Sequence, residues 1–230
     1  MMQPENKTWR KTYEEKKNRE TGDDQLCCLS LPRQPQSEGF LPISQMPRKR
    51  QITLTVGNVK TGLEEPDWDK VPSDEKTDLT PNQTVKKDPR ITNTGTNDAY
   101  AFLEVQIPVR NIITVGADGK KLPKADTELF TYKVNDGWVQ IQESDVSSSG
   151  KVTAHRYIYA YGTEQECKVL KKGETTGALF NSVTLANVME GQIDDETLNI
   201  PVKSYAIQAE HIGESKAPSD VFQIYLKQNS

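Results

Sequence analysis

Two histidines, His155 and His211, are the first residues to weigh for chemistry, because imidazole is both a near-neutral base and a common zinc ligand. A zinc peptidase helix places two histidines four residues apart beside a glutamate. The sequence has no HExxH and no His pair at that spacing. The zinc arrangement that remains is one shared by His155, His211 and a carboxylate, which needs the fold to join two distant positions. A Ser-His-Asp triad has candidate residues but no GxSxG turn to expose a nucleophile. Cys167, in EQECKVL, is a lone thiol, read as buried or semi-exposed more readily than as a nucleophile. Cys27 and Cys28 are adjacent, a spacing that rarely bridges, and no CxxC pair is present. The acidic runs EEPDWD at 64–69 and DDE at 194–196 carry calcium-type oxygens without EF-hand spacing, and are expected to be solvated loops. Tyr157, Tyr159 and Tyr161 share one face of a strand, where a ligand platform and a packed core are the alternatives; packing is expected. No Gly-rich phosphate loop is present. The expected site is therefore empty of catalytic and cofactor-binding residues, with His155 and His211 the weak metal candidates and zinc or calcium the alternatives to no cofactor.

These residues must be positioned mainly by strands. AYAFLEVQIPV, 99–109, sets Leu103, Val105 and Ile107 on one face and Phe102, Glu104 and Gln106 on the other. ITLTV near residue 52, ELFTYKV at 128–134, KVTAHRYIYAYG at 151–162, ALFNSVTL at 178–185 and 202–209 also read as strands. Asn135-Asp136-Gly137 predicts a hairpin joining ELFTYKV to WVQIQ. SDVSSSG reads as a flexible link. GLEEPDWD and ANVMEG could each hold a helical turn. APSDVFQIYLKQ predicts a C-terminal helix capped by Ser219. Seven or eight strands with turn signals between them, and little helix, predict an all-β, jelly-roll-like β-sandwich with a few short helices.

The chain has 230 residues, 34% hydrophobic and 27% charged, with net charge −4. Residues 1–50 hold ten Lys/Arg against seven Asp/Glu, so +3; the remainder is −7. An acidic body argues against a nucleic-acid partner. No run of apolar residues reaches membrane-spanning length. Residues 1–51 read as a polar, disordered leader and 52–230 as the folded domain.

Several stretches together are more specific than the strand count: TVGNV (55–59), LEEPDWD (63–69), VKKDPRITNTGTNDAYAFLEVQIP (85–108), LFTYKVNDGW (129–138), YIYAYG (157–162), LKKGETTGALFNSVTLANVMEGQ (170–192) and VKSYAIQAE (202–210). In this order they resemble the TasA/camelysin family across roughly residues 54–212. The resemblance implies an exported, extracellular or cell-surface jelly-roll protein of Gram-positive bacteria that forms or decorates biofilm matrix fibres. It also implies partners: the protein itself or related matrix subunits, joined by donated β-strands. The camelysin name implies a metal-dependent endopeptidase as the alternative activity, and a monomeric surface module is a third.

Family members carry a signal peptide and an FTD…TNTF segment before TVGNV, and this sequence shows neither in its reading frame. The codons of Gly39 to Leu54, read one base out of phase, permit LFTDFADAAKATNNF, which would rejoin at TVGNV. Upstream, the same phase permits a Leu-rich then Ala-rich run with the shape of a secretory signal. A one-base frame difference near codons 53–55 is the expected origin of the leader. As translated, the donor position holds Pro42, Pro47 and Arg48-Lys49-Arg50, which are poor strand donors.

Overall fold

The computed structural model describes residues 56–194 and 196–230. One compact unit runs from Thr53 to Ser230. Expectations for the leader, the strand near residue 52, Cys27, Cys28 and the donor position lie outside the described residues.

The fold is all-β and sandwich-like, and it is organised on one long strand, β4 (Ala99–Ile112). The reason lies in its sequence, which is apolar on both faces over most of its length. A strand buried on both sides reads as a near-continuous hydrophobic run. Ala101, Leu103, Val105 and Ile107 point into the larger core, with Ile91, Leu129, Phe180 and Val183. Tyr100 and Phe102 point the other way, into a second core with Ile158, Ile207, Val221 and Phe222.

β4 pairs antiparallel with β10 (Val202–Gln208) and with β8 (Lys151–Tyr161), and β8 pairs with β7 (Trp138–Ser148). The order in this sheet is β10-β4-β8-β7, and β5 (Ala125–Glu128) pairs with the far end of β4. A smaller sheet has the order β2-β9-β6, from β2 (Thr84–Lys86), β9 (Ser182–Leu185) and β6 (Phe130–Tyr132). It closes the larger core. A two-stranded ladder joins β1 (Thr61–Glu64) to β3 (Arg90–Asn93). The second core is covered by helix α2 (Pro218–Gln228), whose Phe222 ring lies 5.1 Å from Phe102.

Several sequence expectations are corrected. ELFTYKV is not one strand: β5 pairs in the large sheet, Leu129 is fully buried, and β6 pairs in the small sheet. The Asn-Asp-Gly turn therefore joins two sheets and makes no hairpin with β7. SDVSSSG is not a link. It forms the end of β7 and the tight turn into β8, with Ser149 and Gly150 both at positive φ (51° and 76°) between the paired residues Ser148 and Lys151. That is the backbone of a two-residue hairpin whose twist suits the strands. ALFNSVTL contributes only Ser182–Leu185 as strand. ANVMEG is not helical. Helix α2 starts one residue before Ser219, with Pro218 in its first turn and Ala217 at the N-cap. Proline fits there because its missing N–H would lack a partner anyway. GLEEPDWD holds the expected turn as α1 (Pro66–Lys70), just after β1.

The turn cluster TNTGTND pins the start of the described chain. Asn93 is fully buried; its amide donates to the carbonyls of Asn97 and Leu170, and its Oδ1 accepts from Gly95 N–H. Gly95 lies against residues 58–60, where an added Cβ would sit 2.7 Å from the Asn58 carbonyl oxygen. Only glycine permits that approach.

Candidate functional site

The expected tyrosine stripe lies along β8 and faces the larger core. Tyr159 is buried, and Tyr157 and Tyr161 pack against the same cluster. Tyr132 of β6 reaches across to Tyr159, hydroxyl to hydroxyl at 2.8 Å, so the stripe joins the two sheets. At its open end stands His155. Its Nδ1 is 2.8 Å from Glu128 Oε1, and the Tyr157 hydroxyl donates to the same oxygen at 2.6 Å. Its Nε2 is 3.7 Å from Asp145, the residue paired with it on β7. A carboxylate on one imidazole nitrogen is the orienting half of a general base. Among the described residues, no serine or cysteine side chain is hydrogen-bonded to His155 to complete a nucleophile.

Burial raises the Tyr157 pKa above that of a free phenol, and its hydrogen bond to Glu128 and that carboxylate's charge raise it further. Tyr132 is raised by burial and by Tyr159; Tyr159 is raised by burial against the opposing effect of the Tyr132 bond. Raised folded-state values mean that the neutral phenols stabilise the fold fully below pH ~10. That stability is lost as pH rises above it. A spectrophotometric alkaline titration is expected to show these phenols ionising only with unfolding. Smooth titration of every tyrosine near pH 10, with the fold intact, would contradict the network.

His211 is elsewhere. It lies past the end of β10, exposed beside Glu210. His155 pairs with Ile107 and Gln208 with Ala99, eight positions apart on β4, or roughly 25 Å at strand rise. The fold does not bring the two histidines together. Among the described residues, no group of three His, Cys, Asp or Glu side chains is arranged to hold a metal ion. Cys167 is buried in the second core, and burial pushes its thiol up to about 12, so it stays protonated at neutral pH.

The carboxylates of the acidic runs are exposed as expected at Glu64, Asp67, Asp69, Asp194 and Glu196, and Glu65 is the exception. Glu65 is bidentate to Lys87 at 2.7 and 2.9 Å, and these side chains are only 16% and 10% exposed. Lys87 and Lys76 lie over the Trp68 ring at 5.0 and 4.4 Å. Asp88, 1% exposed, accepts the backbone N–H groups of Asp67 and Trp68 at the start of α1, and lies 3.1 Å from Arg90. Farther along, Glu196 pairs with Arg110, and Asp194 accepts the Gly191 N–H. Asp195 lies outside the described residues.

No known family, curated protein or solved structure matches this chain. A feature available for recognition by backbone alone is the outer edge of β7, the longest of the strands that end a sheet. This strand has eleven residues and pairs only with β8, so its other edge carries no backbone partner among the described residues. Unpaired N–H and C=O groups along a sheet edge are a template for another strand. The edge is also guarded. Register shifts at Gln140/Gln142 and Val146/Ser147 interrupt it, and Glu143 and Asp145 are exposed between them. Bulges and charges of this kind discourage indiscriminate pairing.

Sequence reasoning missed the buried charges Lys87, Asp88 and Glu104. The signal was present: VKKDPR sets one acid, Asp88, among three cations, and Glu104 stands alone inside AFLEVQI. A charge within an apolar run is affordable only when partnered. The Glu104 carboxylate accepts from Gln106 at 2.7 Å and from the Tyr205 hydroxyl at 2.8 Å, with Lys203 at 3.5 Å. Burial alone would raise its pKa. The two hydrogen bonds, with Lys203 and Arg156, outweigh burial and hold it below the usual glutamate value.

Proposed function

We propose that this protein is an exported structural protein of an extracellular or biofilm matrix, a fibre subunit or accessory that joins copies of itself or related subunits by strand pairing. The observation that carries this reading is the unpaired outer edge of β7, with its five-residue regular stretch from Gln142 to Val146 between two bulges. Main-chain pairing needs no special side chains, which suits a domain whose polar clusters are tied to one another. The ordered resemblance to the TasA/camelysin pattern supports the same reading.

The test uses the full chain and a synthetic peptide, LFTDFADAAKATNNF, with a scrambled peptide as control. Addition of the peptide is expected to slow hydrogen exchange at the outward amides of β7 and to leave β4 and β8 unchanged. Protection spread evenly over the domain, or none above the scrambled control, would sink the proposal. Ready fibre formation by the chain without peptide would show that the reframed segment is not the required donor.

A further inference from the structure

We propose that a cleft on the open face of the large sheet binds a neutral, hydroxyl-rich ligand about the size of one sugar residue. The face is the one that α2 covers at its other end. There Phe102, Ile158 and Ile207 are buried under the helix. Beyond Glu104 the helix no longer reaches, and the segment leading into β10 forms the wall. That wall is pinned by the Gln106 N–H, which donates to the Pro201 carbonyl at 3.0 Å. The cleft holds about 210 Å³. Sites for drug-sized ligands start at roughly 300 Å³, so this one suits a smaller molecule.

Its chemistry selects among small molecules. Pro108, Ala154 and Pro201 give it an apolar lining, and Gln106, Arg110, Thr153, Thr197 and Asn199 supply polar groups. Asn199 and Thr197 can each both donate and accept, while the Thr153 hydroxyl, which donates to the Val146 carbonyl at 3.0 Å, keeps its lone pairs as an acceptor. A ligand hydroxyl both donates and accepts, whereas a carboxylate or phosphate only accepts. The one cation lining the cleft is already engaged: Arg110 Nε lies 3.2 Å from Glu196, and its Nη1 donates to the Val109 carbonyl at 3.0 Å. The charge that would attract an anion is therefore countered.

Glu104 adds the element of preorganisation. A carboxylate only accepts, so the Gln106 group facing it at 2.7 Å must be the NH₂. The Gln106 carbonyl oxygen is left as a fixed acceptor for the cleft. A buried carboxylate is costly, and here it fixes the orientation of a cleft-lining amide. Hydroxyl recognition by fixed amides over an apolar floor needs no charge and no metal.

The cleft lies on the sheet face and not on the β7 edge, so this proposal stands or falls separately from strand pairing. Nitrogen-proton correlation spectra of the full chain are titrated with glucose, galactose and N-acetylglucosamine, and with glucuronate and inorganic phosphate as anionic probes. At least one neutral sugar is expected to give saturable shifts confined to residues near 106–110, 153–154 and 197–201, with Kd on the order of millimolar. Asn199→Ala and Gln106→Leu are each expected to weaken binding about tenfold while the remaining spectrum is preserved. Glu104→Gln, which frees the Gln106 amide to turn, is expected to weaken it too. Absence of saturable shifts with all three sugars, shifts centred elsewhere, or a stronger response to glucuronate or phosphate would overturn the proposal. Binding unchanged in both Asn199→Ala and Gln106→Leu would do the same.

Discussion

Asp88→Ala is expected to lower the unfolding free energy by about 2–3 kcal/mol, the cost of taking a buried charged acceptor away from its hydrogen-bond donors. The substitution removes three interactions at once. The N–H groups of Asp67 and Trp68 lose their acceptor, and Arg90 loses the carboxylate 3.1 Å away. The arginine, 36% exposed, loses its ion-pair partner, and its Nε is already buried without a hydrogen-bond partner. Capping accounts for a smaller share, since losing an N-terminal helix acceptor costs about 1 kcal/mol. Asp88→Asn separates the two effects. It retains an oxygen for α1 but no charge for Arg90, and is expected to fall between wild type and alanine. Urea unfolding with an unchanged m-value is the measurement. A loss under about 1 kcal/mol for Asp88→Ala would mean that the cluster is solvated, as surface pairs of that worth are.

Phe102→Ala is expected to cost about 3–5 kcal/mol, the range for truncating a buried phenylalanine. Phe102 is fully buried on β4 and meets the Phe222 ring of α2. Tyr205 packs on that same ring at 6.2 Å and on Tyr225 at 5.5 Å, so one truncation loosens the aromatic seam between sheet and helix. Phe222→Ala makes the complementary cut from the helix side. It is expected to free α2 while the larger core, on the opposite face of β4, stays packed. Proteolysis near residues 213–218 should accelerate in Phe222→Ala before global unfolding. Equal acceleration throughout the domain would show that the two cores melt together, and a loss in Phe102→Ala below about 1 kcal/mol would show that the seam is not tightly packed.

Both experiments bear on how the fold was legible. β4, β8 and β10 were visible because each carries enough periodic or continuous apolar sequence to announce a strand by itself. The near-continuous apolar run of β4 suits burial on both faces, but what covers the Phe102 face is a helix distant in sequence, which turns that side into a second core. The Asn-Asp-Gly signal was sound as a turn but wrong as a hairpin. A turn fixes local chain reversal, while partner choice depends on which sheet can bury Phe130 and Leu129. Ser149-Gly150 carries no strong hairpin signal because serine seldom takes a positive φ, and the pairing of two eleven-residue strands holds it there.

For the site, the sequence offered residue types and the fold decided their company. His155 was picked out, but its partner Glu128 comes from a different strand, β5, that pairs with neither β7 nor β8. His211 was picked out beside it and is carried to the other end of β4. In the acidic run at 64–69 the fold singles out Glu65, which Lys87 meets from more than twenty residues away, and leaves Glu64, Asp67 and Asp69 exposed.

The sequence by itself determined the β architecture, the main strand faces and the absence of any local catalytic motif, because periodicity, turn chemistry and residue spacing are properties of short segments. Only the tertiary structure decided which charges are buried, which strands end the sheets and where a cleft remains beyond α2. Those depend on contacts between residues far apart in the chain, and burial turns an ordinary charge or amide into a fixed, partnered group.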